Sequence, residues 1–270
     1  MNSHPSLSLF TFFFFAFLTT SCTLPESNET GTQEESCVSL QTSSEQLELP
    51  AYSDEEDLVR YDGFVSSYNH TTLVPNWVAY ELTSDELNGS YDTKSSSFSR
   101  DPNVKGRQAS REDYSHSGWD KGHMAPKADM RWSEKAYWQS HYFPNICPQN
   151  HELNRYDWNT LEKSVRHWAR QYGTVWVVCG PIFEKGEFGK IGDAGVQVPD
   201  YFFKALLIRD GDSYSAIAYV MHNDARHHKL ADYACTVNDL EERIGRDLFP
   251  ALDDTVEEQI EGAIDWNCWN

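Results

Sequence analysis

The chain of 270 residues is short of cations, with 22 Lys and Arg against 42 Asp and Glu and a formal charge of −20 at pH 7. An acidic body repels polyanions, so any nucleic-acid surface on it has to be local. No Cys-x-x-Cys pair occurs among the six cysteines, which argues against a zinc finger or ribbon. A P-loop, a Gly-x-Ser-x-Gly elbow and a Gly-x-Gly-x-x-Gly turn are all missing. Their absence removes P-loop NTPases, α/β-hydrolase serine enzymes and Rossmann dehydrogenases from consideration. There is no internal repeat. No apolar run reaches the ~20 residues needed to span a bilayer.

The one apolar run, residues 7–18, is broken only by Ser8 and Thr11 and leads into Thr19-Thr20-Ser21-Cys22. Its length suits the core of a signal peptide, so export is expected of a leader over residues 1–22. Small residues before Cys22, with Leu18 four positions upstream, resemble a bacterial lipoprotein cleavage box. Cys22 is therefore the candidate lipidation site. The protein is then expected to be a membrane-anchored lipoprotein of the cell envelope or surface, or a plainly secreted protein if the leader, which lacks Lys and Arg, is cleaved otherwise.

Residues 23–59 hold ten acidic residues and no Lys or Arg, among Ser, Thr and Gln. Such a stretch cannot bury enough apolar surface to offset chain entropy, and it reads as a flexible acidic tether. Residues 100–170 invert the balance, with twelve Lys or Arg against nine Asp or Glu. Only this segment is net positive.

Within it, Asp120-Lys121-Gly122-His123 sets a carboxylate, a cation, a glycine and an imidazole in four consecutive positions. Gly122 opens backbone conformations closed to other residues. His123 is the side chain whose ordinary pKa suits a general base near neutrality. Asn145-Ile146-Cys147-Pro148-Gln149, then Asn154, then Glu162 follow closely.

These residues resemble the DNA/RNA non-specific endonucleases, a family of ββα-metal (His-Me finger) nucleases. The likeness runs in order from Asn76-Trp77-Val78-Ala79-Tyr80 through the Asp120 motif to Cys179-Gly180-Pro181 and Tyr219-Val220-Met221. It implies an α+β fold, an antiparallel β-sheet flanked by helices, with the nuclease domain over residues 60–270. It also implies a Mg²⁺-dependent endonuclease acting on DNA and RNA, with Mn²⁺ as a substitute ion. In that scheme His123 is the general base, Asn154 the direct metal ligand, and Glu162 orders metal-bound water. Asn145 orients the imidazole, and Lys121 binds substrate phosphate where the family usually has Arg. Asp120 acts either on substrate or on the neighbouring backbone.

The family's upstream phosphate-binding Arg has no counterpart near Ser95-Ser96-Ser97, where Arg100 or Lys94 could substitute. Arg166 is a further phosphate candidate, or else an i, i+4 ion pair with Glu162. Arg131, like Arg155, either lines the groove or is solvated. By the same resemblance Cys235 and Cys268 form a disulfide, while Cys147 and Cys179 are buried thiols or a second bridge. Some family members pair, so a homodimer is an expectation too. Two other functions fit the same residues: a nucleic-acid-capturing surface lipoprotein with weakened catalysis, and a phosphodiesterase for small phosphodiesters.

Runs rich in aromatic and β-branched residues predict strands over residues 64–68, 77–82, 174–179, 201–208 and 214–221. Leu161, Val165, Trp168 and Tyr172 form one stripe of a helix over residues 156–172, stopped by Gly173. A second helix is expected from an Asn238 cap to Gly245.

Overall fold

The computed structural model describes residues 46–93 and 97–269. The expected signal peptide, Cys22, Cys37 and Lys94 lie outside the described residues. Eleven strands occur in the described chain: β1 Asp57–Arg60, β2 Val65–Asn69, β3 Val74–Thr83, β4 Asp120–His123, β5 Ile146–Gln149, β6 Thr174–Ile182, β7 Lys190–Ile191, β8 Val196–Gln197, β9 Tyr201–Asp210, β10 Ser213–His222 and β11 Ala234–Cys235. The helices are α1 Arg111–Tyr114, α2 Glu134–Gln139, α3 Asn159–Tyr172, α4 Val237–Ile244 and α5 Asp254–Glu261.

Seven strands make one antiparallel sheet in the order β1-β2-β3-β6-β9-β10-β11, while β4-β5 and β7-β8 are separate hairpins. The central strands are buried on both faces, and their side chains alternate between two cores as period 2 requires. Val78, Tyr80 and Leu82 of β3, with Phe202, Leu206 and Ile208 of β9, face one core. Trp77 and Ala79, with Phe203, Ala205 and Leu207, face the other. Leu161, Val165 and Trp168 of α3 pack on the first core, and Gly173 ends the helix at φ 87°. Val237 and Leu240 of α4 pack on the second. Asn238 does not cap α4. Thr236 does, its side chain accepting from the Asp239 N–H at 3.1 Å.

The acidic tether does not extend to residue 59. Leu47 and Leu49 are buried in the second core, and the Ala51 N–H donates to the Asp247 carbonyl at 2.8 Å. Glu56 accepts from the Trp77 indole N–H at 2.9 Å and from Ser67 Oγ at 2.6 Å, and pairs with Arg246 at 3.1 Å. Two leucines spaced by one residue, plus one well-bonded glutamate, are enough to dock a segment whose composition otherwise reads as solvated.

The Cys235–Cys268 disulfide is not formed, and both thiols are free. Cys235 packs beside the second core and Cys268 beside the first, so the sheet stands between them. Cys147 and Cys179 are buried thiols on the first side.

Candidate active site

A hairpin and a helix build the site on the first face of the sheet. β4 and β5 pair antiparallel, with Asp120 opposite Gln149, Gly122 opposite Cys147 and His123 opposite Ile146. Gly122 is needed for space, its φ being unexceptional: a Cβ there would run into the Gln149 side chain. After His123 the chain is clamped by Asn145, which lies fully buried. Its Oδ1 accepts from the Ala125 N–H at 2.8 Å, and its Nδ2 donates to the Ala125 and Ser140 carbonyls at 2.8 Å each. Asn145 thus fixes the backbone two residues beyond His123 and makes no bond to the imidazole.

His123 is held between rings. Phe98 lies 5.2 Å from it, centroid to centroid, and His141 meets it edge-on at 5.1 Å. The Trp158 indole N–H donates to the His123 carbonyl at 3.3 Å. His123 Nε2 is shielded from solvent and has no hydrogen-bond partner. Burial, then the neighbouring His141 and Lys127, push its pKa down to about 3, so the ring is neutral with a lone pair to give. Nδ1 of His141 bonds the Tyr137 carbonyl at 2.8 Å, which puts the proton on that nitrogen.

Asn154 sits in a π-helical turn, Leu153–Trp158, that leads into α3. Such wide turns recur at functional sites. The Asp120 carboxylate makes no bond to the neighbouring backbone among the described residues: its Oδ2 accepts from Asn154 Nδ2 at 3.0 Å and pairs with His151 Nδ1 at 2.9 Å. This fixes the amide so that Asn154 Oδ1, which accepts no hydrogen bond among the described residues, faces away from Asp120. A lone amide oxygen is a donor suited to a hard cation that keeps most of its water. No group of three His, Cys, Asp or Glu able to hold a metal occurs among the described residues.

Beneath the site lies a buried charge network that sequence reasoning missed. Asp129 pairs with Arg166 at 2.6 Å and accepts from Tyr80 Oη at 3.1 Å. Arg166 is therefore engaged with a carboxylate 37 positions away, neither in an ion pair with Glu162 nor facing open solvent. Lys204, on the first-core face of β9 and fully buried, places Nζ 4.7 Å from the Trp158 ring centroid. Burial pushes the Glu162 carboxyl up to about 7 against the pull of Lys204; Asp129 adds to the rise and Arg166 opposes it. Arg131 is also engaged, donating to the Tyr91 and Ser90 carbonyls at 3.0 and 3.1 Å. It ties down the loop of Ser90 and Tyr91. Lys121 remains at the surface, its ammonium 5.6 Å from the Phe98 ring centroid and 5.5 Å from that of Tyr114. Lys204 carried a signal in the sequence, a single Lys inside an apolar run; Asp129 and His141 carried none.

The family model of the DNA/RNA non-specific endonucleases matches residues 43–255, and the chain belongs to that family. It is 38% identical over 207 residues to the mitochondrial nuclease EXOG of Danio rerio, covering 71% of this chain and 60% of that protein. The chain thus spans about three fifths of that relative's length. It is 33% identical over 212 residues to nuclease C1 of Cunninghamella echinulata var. echinulata, covering 73% of this chain and 84% of the other. A solved structure of the EndoG/EndoGI complex contains a chain that superposes with a TM-score of 0.72 at 26% identity, over 80% of this chain and 95% of that one.

Proposed function

We propose that the chain is a metal-dependent endonuclease that hydrolyses phosphodiester bonds of DNA and RNA with little sequence preference. The observation that carries this reading is the neutral, half-buried imidazole of His123, held between Phe98 and His141. It sits on the same hairpin as Asp120, which fixes the Asn154 amide. His123 takes the proton from the attacking water. A pKa of about 3 makes the free protein's imidazole a weak base, but a phosphate anion beside it favours the imidazolium and strengthens it once substrate is bound. Lys121 supplies a point charge for a phosphate. Asn154 Oδ1 would hold a hard divalent ion, Mg²⁺ or Mn²⁺, with Glu162 bonded to its water; bound there, the ion supplies charge neutralisation at the phosphate. Contacts of this kind engage the sugar-phosphate backbone, which carries no base information.

The test is cleavage of plasmid and RNA by the purified protein with Mg²⁺ and with chelator, with His123→Ala as control. Metal-dependent degradation of both polymers, lost in the variant but with binding retained, is the expected result. Tight salt-sensitive binding without cleavage would replace it with the capture protein, and hydrolysis of small diesters alone with the phosphodiesterase. Export with acylation at Cys22 belongs to the same proposal; it rests on the apolar run 7–18 and is checked by the mass of the mature N-terminus.

A further inference from the structure

Most arginines of this acidic protein are tied to carboxylates or carbonyls. Arg166 pairs with Asp129, Arg226 with Asp224, Arg243 with Glu184 and Arg246 with Glu56. Two cations beside His123 depart from that pattern. Lys121 and Arg111 line one groove with Ser97, Phe98, Glu112 and Ser115, and neither forms an ion pair among the described residues. Arg111 makes one side-chain contact, Nη1 donating to Ser97 Oγ at 3.1 Å, and is otherwise exposed. Glu112, the carboxylate on the same rim, is turned back on its own backbone N–H and on Ser110, which together with the nearby charges of Arg111 and Arg100 hold its pKa below the usual carboxylate value. Phe98 forms the wall between groove and base, with the imidazole 5.2 Å from its ring and the Lys121 ammonium 5.6 Å from it.

Two cations lining one groove without an ion pair among the described residues, where carboxylates outnumber cations nearly two to one, make a local positive patch suited to an anion. The groove is open, so the anion comes from outside. A single aromatic ring separates the groove from the base, so a phosphate held here is a neighbour of the one being cut. We infer that Arg111 and Lys121 form a subsite for a flanking phosphate of the substrate strand, with Arg111 as a specificity-determining residue that selects polynucleotides over isolated phosphodiesters. Its guanidinium presents a fork to phosphate oxygens and Lys121 a point charge. The inference rests on the nuclease reading and extends it to which phosphodiesters qualify: those with a second phosphate one nucleotide away.

The experiment compares wild type, Arg111→Ala, Arg111→Lys and Ser97→Ala on a short single-stranded DNA and on bis(p-nitrophenyl) phosphate, a diester with one phosphate. Arg111→Ala is expected to raise KM for the DNA about 5–10-fold with kcat nearly constant. It should also flatten the plot of log affinity against log salt by about one phosphate's worth, and leave KM for the small diester unmoved. Arg111→Lys should recover part of the loss. Equal effects on both substrates, an unchanged salt slope, or a Ser97→Ala variant that reproduces the whole loss would overturn the subsite in favour of a loop-ordering contact. Fluorescence anisotropy of a labelled oligonucleotide on the His123→Ala background, with and without Arg111, reads binding apart from chemistry. A wild-type protein that cuts nothing sinks the nuclease reading, while indistinguishable affinities with and without Arg111 sink the subsite alone.

Discussion

The ammonium of Lys204 lies 3.4 Å from the carbonyl oxygen of Met124, the residue that follows His123. The Cys179 thiol donates to that same oxygen at 3.3 Å. A charge on a central strand thereby reaches up through the core to the turn that presents the His123 imidazole.

Removing that charge leaves Asp129 and Glu162 buried with Arg166 alone to balance them. Lys204→Met is expected to destabilise the fold by about 3–5 kcal/mol, the range for breaking one side of a buried charge group, and to lower kcat about 10–100-fold through displacement of the His123 turn. Urea unfolding and plasmid cleavage measure the two effects. A variant as stable and as active as wild type would show that Lys204 merely fills space.

His123 also links stability to acid. Its pKa is about 3 in the folded chain and near 6.5 when unfolded, so below pH 6.5 the unfolded chain takes up a proton that the folded one refuses. The stability this site contributes is fully present above pH 6.5 and falls, by up to about 1.4 kcal/mol per pH unit, as pH drops toward 3. His123→Asn should have a shallower loss of urea midpoint between pH 7 and pH 5. Parallel slopes for the two proteins would refute the assignment.

The opposite sign operates at the far end of the chain. Glu261 of α5 is almost fully buried with Oε1 unpartnered, and burial, with Glu241, Glu257 and Asp247 nearby, pushes its carboxyl up to about 8. Glu257 is pushed up to about 7, by burial first and then by Asp247 and Glu241. Both acids keep their protons more readily folded than unfolded, so stability is intact below pH 4.5 and drains away as pH climbs toward 8. Glu261→Gln is expected to raise stability at pH 9 by on the order of 2–4 kcal/mol and to change little at pH 4. Thermal melts at the two pH values decide it, and a destabilised variant at pH 9 would contradict the burial argument.

With Cys235 and Cys268 on opposite sides of the sheet, reductant should leave the melting temperature within about 1 °C. A lost disulfide, by contrast, costs 2–5 kcal/mol. Alkylation without prior reduction, read by peptide mass, should modify both thiols once the protein is unfolded. Failure of either to react would restore the bond.

How much of this was legible before the structure follows from the range of each signal. The strands of the central sheet declared themselves because runs buried on both faces are dominated by aromatic and aliphatic residues, as in β6 and β9. The finger declared itself because Asp120, His123, Asn145, Asn154 and Glu162 fall within 43 residues. Partners distant in sequence stayed hidden: Asp129 for Arg166, the carbonyls of Ser90 and Tyr91 for Arg131, His141 for His123. Charge and spacing alone cannot say whether an arginine meets a phosphate, a carboxylate or a carbonyl. The docked segment from residue 46 was hidden for another reason, since two leucines among acidic and polar neighbours barely alter the average on which a disordered reading rests.

That segment closes against Asp247 and the adjoining Arg246, whose guanidinium donates to the Ala51 carbonyl. On the ribosome, where synthesis runs from the N-terminus at about 5–20 residues per second, residues 46–51 emerge roughly ten to forty seconds before their partners. Throughout that interval residues 46–51 lack their bonds to Arg246 and Asp247, and the second core lacks Leu248, Phe249 and Leu252. The nascent chain is therefore most vulnerable to aggregation and chaperone capture just before its last tenth appears, and a stop codon ahead of Asp247 would remove Leu248, Phe249 and Leu252 from that core.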